Sequence, residues 1–208
     1  MTKRFVGHVA VDDLSLAVPS GVIFGLLGPN GAGKTTSLRM ILNILAPDAG
    51  RVRLFGTDGG GRVHSARIGY LPEERGLYRK MRVIDVLVFL AEMKGVERRR
   101  ARGLAGEWIE RLGLGDWRVR RIDELSKGMQ QKVQFISTVL HEPDLVILDE
   151  PFSGLDPVNA QVLKDVVLEL RRRGKTILFS THIMEQAEKL CDGLCIIARG
   201  RKLVEGSL

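Results

Sequence analysis

The sequence predicts an α/β protein with a mostly parallel sheet covered by helices. Three observations carry that prediction. Short apolar strands alternate with helical stretches, a glycine-rich turn joins a buried strand to a helix start, and a second apolar strand ends in two acids. Length and composition agree. A chain of 208 residues suits one domain, or one domain with a sub-lobe. At 44% hydrophobic and 27% charged residues it has a globular makeup, unlike disordered or fibrous chains. No stretch approaches the roughly 18 uncharged apolar residues of a membrane span, and the best apolar run, 84–91, contains Asp85. Asp12 and Asp13 interrupt any signal-like region after Lys3 and Arg4, so the chain reads as soluble and intracellular.

Residues 22–27 (VIFGLL) read as a buried strand that runs into the glycine-rich turn. A helix follows from 34 to about 45, stopped by Pro47. Residues 51–55 alternate as an exposed strand does, and the three glycines at 59–61 read as a loose loop. From about 81 to 112 the pattern is helical, with Val83, Val86, Leu87 and Leu90 on one face and a second helix at about 104–112. Gly113 and Gly115 break it. Ser126 is placed to N-cap a third helix running to about 140. Residues 145–148 (LVIL) form another buried strand. A helix over 158–173, a stop at Gly174, a strand over 176–179, a helix over 183–190 and a hairpin around Arg199 and Gly200 complete the chain. The helical insert, about 75–125, reads as a sub-lobe within a single domain spanning 1–208. Two cysteines cannot build a disulfide framework and lack a nearby histidine pair for zinc, so Cys191 and Cys195 are expected to be small buried hydrophobes.

The net charge of +7 is localised. Residues 75–132 hold fifteen Lys and Arg against eight Asp and Glu, and the remainder of the chain is neutral. Arg98, Arg99, Arg100, Arg102, Arg118, Arg120 and Arg121 belong to this segment. Such a surplus invites a nucleic-acid reading, set against plain solvated helix faces.

The chemistry concentrates in a few motifs. GPNGAGKT at 28–35 fits G-x-x-x-x-G-K-[ST] and stands between a strand and a helix, where backbone N–H groups and the helix N-terminus can cradle phosphates. Lys34 can place its charge on the β- and γ-phosphates, and Thr35 can ligate Mg²⁺. LVILDE at 145–150 puts two carboxylates at a strand C-terminus, where open α/β sheets bind ligands. Asp149 can hold the metal, and Glu150 can act as general base on water. LSKGMQ at 125–130 offers a hydroxyl and a glycine N–H at a helix start, 23 residues before Asp149. SGLD at 153–156 follows the acids, and His182 follows the next strand.

In this order the motifs resemble the ATP-binding subunit of ABC transporters, over nearly the whole chain. IGYLPEERGLY, LSKGMQQK and HEPDLVILDEPFSGLDP are most similar to a branch of exporter ATPases of the sodium-efflux type, whose membrane subunit is a separate chain. The resemblance implies a P-loop NTPase fold, RecA-like, with a small antiparallel β subdomain and the inserted helical subdomain. It implies ATP hydrolysis with Mg²⁺ at a head-to-tail interface, in a homodimer or heterodimer of ATP-binding subunits. The partner is an integral membrane permease subunit, the location the cytoplasmic face of the membrane, the direction export, and no nucleic acid is expected. Phe5, 29 residues before Lys34, would stack on adenine. Asn30, Gly31, Gly33, Lys34, Thr35 and Thr36 would hold phosphates, while Ser126 and Gly128 would cap the γ-phosphate across the dimer. Thr35, Glu73 and Asp149 would hold the metal, Glu150 would be the base, His182 the γ-phosphate sensor, and Asp156 would link the two sites.

Three features depart from the family pattern. Glu73 stands where the family has Gln, and Lys127-Gly128 where it has Gly-Gly. The family's first edge strand and a C-terminal extension are expected to be missing. The arginine-rich segment would meet anionic lipid or acidic permease loops. A related ATPase acting on nucleic acid or the ribosome is the alternative, but the 92 residues from Lys34 to Ser126 leave no room for a coiled-coil or zinc insert. A degenerate nucleotide-binding regulator is a third reading, opposed by the presence of Lys34, Thr35, Asp149, Glu150 and His182.

Overall fold

A strand buried on both faces must be apolar throughout, and the chain supplies such strands where the core needs them. The computed structural model describes residues 1–62, 64–74 and 76–208. It opens with a hairpin of β1 (Lys3–Phe5) and β2 (His8–Val11), followed by β3 (Ile23–Leu27) and α1 (Lys34–Ile41). A small antiparallel pair, β4 (Arg53–Leu54) and β5 (Thr57–Asp58), precedes β6 (Ile68–Leu71). Three helices come next: α2 (Val83–Met93), α3 (Arg98–Arg111) and α4 (Lys127–Val139). The chain then alternates through β7 (Leu145–Asp149), α5 (Pro157–Arg172), β8 (Thr176–Thr181), α6 (Met184–Leu190), β9 (Gly193–Ala198) and β10 (Arg201–Ser207). Six strands form one sheet in the order β10-β9-β3-β8-β7-β6, parallel except for β10. This mostly parallel sheet with two small antiparallel pairs is the fold class that the sequence predicts.

The strand pleat divides the core in two. Val146 and Leu148 of β7 join Phe135, Ile136 and the α2, α3 and α5 faces, whereas Leu145 and Ile147 join Leu38 and Met40 of α1 on the other side. Each such fully buried side chain contributes about 1.5–3 kcal/mol of transfer free energy. Among the described residues, no helix is long and apolar enough to cross a membrane.

Several elements differ from the sequence expectation, each for a local reason. Helix α1 stops at Ile41, short of about 45, because Asn43 turns left-handed (φ 55°) and the Ile44 and Leu45 amides fold back onto the Arg39 carbonyl. The expected strand over 51–55 pairs only at Arg53 and Leu54, since Phe55 and Gly56 both take positive φ in a tight turn. The expected loose glycine loop is a 3₁₀ turn, Gly60–Arg62, packed on the end of α1; a Cβ on Gly61 would lie 2.9 Å from Leu42 Cα. The second helix of the insert begins at Arg98, not near 104, after a break at Gly95 (φ 88°). Arg75, where that insert was expected to begin, lies outside the described residues. Cys195 is buried as expected, but Cys191 only half so; burial pushes the thiols up to about 12 for Cys191 and about 11 for Cys195. Part of the arginine surplus is paired locally: Arg98 with Glu92, Arg100 with Glu142, Arg120 with Glu124 and Arg121 with Asp123.

Candidate functional site

After β3 the chain turns through 28–33 before α1 begins, and two glycines make that path possible. A Cβ on Gly28 would lie 2.2 Å from the Ile197 carbonyl oxygen. Gly33 has φ 103°, and its Cβ would lie 2.4 Å from the Ala10 carbonyl oxygen. No L side chain fits either position. Gly33 N-caps α1 without any side-chain hydrogen bond, and the first turn holds no acid. Glu97, Ser126 and Asp156, by contrast, cap α3, α4 and α5 with side-chain oxygens. The first N–H groups of α1 are therefore available to an anion, which the helix dipole also favours.

The turn faces a cavity of about 420 Å³. Its lining includes Phe5 from β1, then Asn30, Gly31, Gly33, Lys34, Thr35 and Thr36 from the turn and α1, Glu73 after β6, and Glu150 after β7. His8 and Ala10 of β2 and Ala32 of the turn also line it. The sequence reading missed these three; β2 is too short, and its outer half too exposed, to signal itself. A larger hollow of about 790 Å³, bordered by Leu14, Leu16, Val18, Val52 and Leu54, contains none of the expected site residues. Size alone does not identify the site.

Charge is organised tightly around the glycine turn. The buried Lys34 donates through Nζ to the carbonyls of Gly28 (2.8 Å) and Pro29 (3.3 Å) and stands 3.4 Å from Glu150 Oε1. The same carboxylate oxygen lies 3.0 Å from His182 Nδ1. Glu150 adopts φ 48°, unusual for a residue with a side chain, and its N–H donates to the Ser180 carbonyl at 3.2 Å. That sharp turn brings its carboxylate back against Lys34 and His182.

Asp149 is fully buried at the end of β7. Its Oδ1 accepts a hydrogen bond from the Ser180 hydroxyl, while Oδ2 has no hydrogen-bond partner among the described residues. A buried carboxylate oxygen left unpaired is costly unless a positive group meets it. Thr35 and Glu73 line the cavity and Asp149 does not, but all three offer hard oxygens of the kind Mg²⁺ takes. Burial and the Asp149 charge together push the Tyr70 phenol above its ordinary pKa.

Ser126, Gly128, Asp149, Asp156 and His182 do not line the cavity, although His182 reaches it through its contact with Glu150. Ser126 Oγ accepts the Met129 N–H at 3.3 Å at the exposed start of α4, and Gly128 lies beside Leu155. Asp156 Oδ1 accepts the Asn159 N–H at 3.0 Å, which together with the Asn159 side chain holds its carboxyl below the usual range.

A family model described as ABC transporter matches residues 11–153. Over 208 residues the chain is 53% identical to the "Uncharacterized ABC transporter ATP-binding protein YhaQ" of Bacillus subtilis (strain 168), covering 100% of this chain and 70% of that protein. It is 41% identical over 207 residues to the Nod factor export ATP-binding protein I of Paraburkholderia xenovorans (strain LB400), covering 99% of this chain and 68% of the other. The solved structure of the ATP-binding subunit of an ABC transporter superposes with a TM-score of 0.90 at 30% identity, over 100% of this chain and 87% of that one.

Proposed function

The chain belongs to the ABC transporter ATP-binding family, and from that premise we propose that it is an ATP-hydrolysing motor subunit driving a separate membrane permease. The observation that carries the proposal is the convergence of Phe5, Lys34, Thr35, Glu73 and Glu150 on one cavity at the uncapped start of α1.

In this reading adenine stacks on Phe5, a contact worth about 1–3 kcal/mol per base. The phosphates rest on Asn30, Gly31, Gly33, Lys34, Thr35 and Thr36. Lys34 transfers from the Gly28 carbonyl and Glu150 to the β- and γ-phosphates. Thr35, Asp149 and Glu73 hold Mg²⁺, which when bound neutralises charge on the β- and γ-phosphates. Glu150 takes the proton from the attacking water. His182, whose Nδ1 lies 3.0 Å from Glu150 Oε1, senses the γ-phosphate beside the base.

Ser126 and Gly128 lie outside the cavity lining at a helix start, as expected of groups that serve the ATP of a second subunit, homologous or identical. Asp156 lies beyond the acids and links the two sites. The subunit sits at the cytoplasmic face of the membrane through the permease. The Nod factor export relatives support an export direction. A phosphate-release assay on the purified chain with MgATP tests the motor reading. Turnover is expected, and Lys34→Ala should lower it by about 10²-fold or more. ATP binding without phosphate release by the unaltered chain would leave a nucleotide-binding regulator instead.

A further inference from the structure

Helix α4 carries two buried glutamines, Gln131 and Gln134, at 3% and 4% exposure. Residues three apart share a helix face, and here both amides meet loops that bear cavity carboxylates. Gln131 Nε2 donates to the Pro151 carbonyl at 3.2 Å, next to Glu150. Gln134 Nε2 donates to the carbonyls of Pro72 (3.3 Å) and Glu74 (3.1 Å), one on each side of Glu73.

The region around Gln134 has little freedom. Thr138, one turn on, donates to the Gln134 carbonyl at 2.9 Å and to the Tyr70 carbonyl at 3.3 Å. A Cβ on Gly69 would lie 2.1 Å from the Thr138 carbonyl oxygen, so α4 and β6 approach backbone to backbone. Burying a long amide forfeits rotamer entropy and demands partners for its polar atoms. Gln134 Oε1 has none among the described residues. A leucine or methionine would fill the space without that cost, so packing alone does not account for the amide. Its donor does, because it spans the two carbonyls that flank Glu73. The Glu73 side chain is exposed and makes no ion pair or hydrogen bond among the described residues, so its approach to the cavity depends on its backbone.

We propose that Gln134 is a positioning residue for the ATP site. It clamps the backbone on both sides of Glu73, presents that carboxylate to the metal side of the nucleotide, and ties the loop to the helix that starts at Ser126. The proposal rests on Glu73 being a metal ligand, as read above.

The test is Mg²⁺-dependent binding of a non-hydrolysable ATP analogue to the full chain, for Gln134→Met, Glu73→Gln and the double variant. Each single change should raise the Mg²⁺ concentration at half-maximal binding by about fivefold, the worth of one hydrogen bond. For Gln134→Met, binding without Mg²⁺ should not change. The double variant should be no worse than Glu73→Gln alone, since Gln134 acts through Glu73. If Glu73→Gln raises the Mg²⁺ requirement and Gln134→Met does not, or if the two effects multiply, the clamp is overturned and the Glu73 reading stands. If Glu73→Gln has no effect, the Glu73 reading fails and the clamp with it. Should Gln134→Met not fold, Gln134→Leu fills the space without the donating amide and decides by the same titration.

Discussion

Asp149 and Glu150 are neighbours in the chain with different surroundings, and the difference separates their roles. Asp149 is sealed at the strand end, one oxygen on Ser180 and the other unpartnered among the described residues. Glu150 turns left-handed and shares one oxygen with Lys34 and His182. If Asp149 is a metal ligand, Asp149→Asn should weaken Mg²⁺-dependent ATP binding by about tenfold or more and leave Mg²⁺-free binding unchanged. Because it also removes a buried unpaired charge, the melting temperature should not fall. Calorimetric titration and a thermal melt check both signs. Lys34, Thr35, Asp149 and Glu150 were legible in the sequence because their motifs have fixed spacing. The contact of Glu150 with Lys34 was not, since it depends on a positive φ that no local pattern announces. Nor was Gln134, which reads as one more polar position on a helix until the Pro72 and Glu74 carbonyls arrive from elsewhere in the chain.

Helix α3 shows how an element can start where periodicity is silent. Arg98, Arg99, Arg100 and Arg102 fall in its first five residues, at the end where the helix dipole disfavours cations. Glu97 offsets this: its carboxylate accepts the Arg99 and Arg100 N–H groups at 2.8 and 2.9 Å, and those bonds hold its pKa below the usual value. The apolar pattern begins only near Leu104, which is why the sequence alone placed the helix start there. Removing the cap should expose the difference. Glu97→Ala should fray the first turn, reduce helical circular dichroism and lower the melting temperature by about 2–4 °C. An unchanged melt and spectrum would mean that packing of Ala101, Ala105 and Ile109 sets the start of the helix. The central strands needed no such help, for a run like LVIL, buried on both faces, announces itself by composition.

Across the whole molecule, the sheet delivers its chemistry at the C-terminal ends of β3, β8, β7 and β6, which lie side by side in that order. The site is thus assembled by strand order, while its individual groups come from widely separated segments. The same packing partly buries His141 after α4. Its Nε2 lies 3.1 Å from the Ile68 carbonyl, and burial together with the nearby Lys94 and Lys175 cations pushes its pKa to about 4 from 6.5. The fold therefore favours neutral His141. Its stabilising effect is complete above pH 6.5 and declines as pH falls from 6.5 towards about 4, where the unfolded chain takes up the proton first. Asp144 and Glu169, held low by Arg67 and Arg111, lose their own contributions further into the acid range. Urea midpoints measured across this window should fall with acidification, and His141→Gln should flatten the upper part of the slope. The most direct measurement on the proposed motor role sets ATP binding beside phosphate release for the unaltered chain and for Glu150→Gln. With Glu150 as the general base, the variant binds ATP and its turnover falls by about 10²-fold or more. Turnover close to that of the unaltered chain would contradict it.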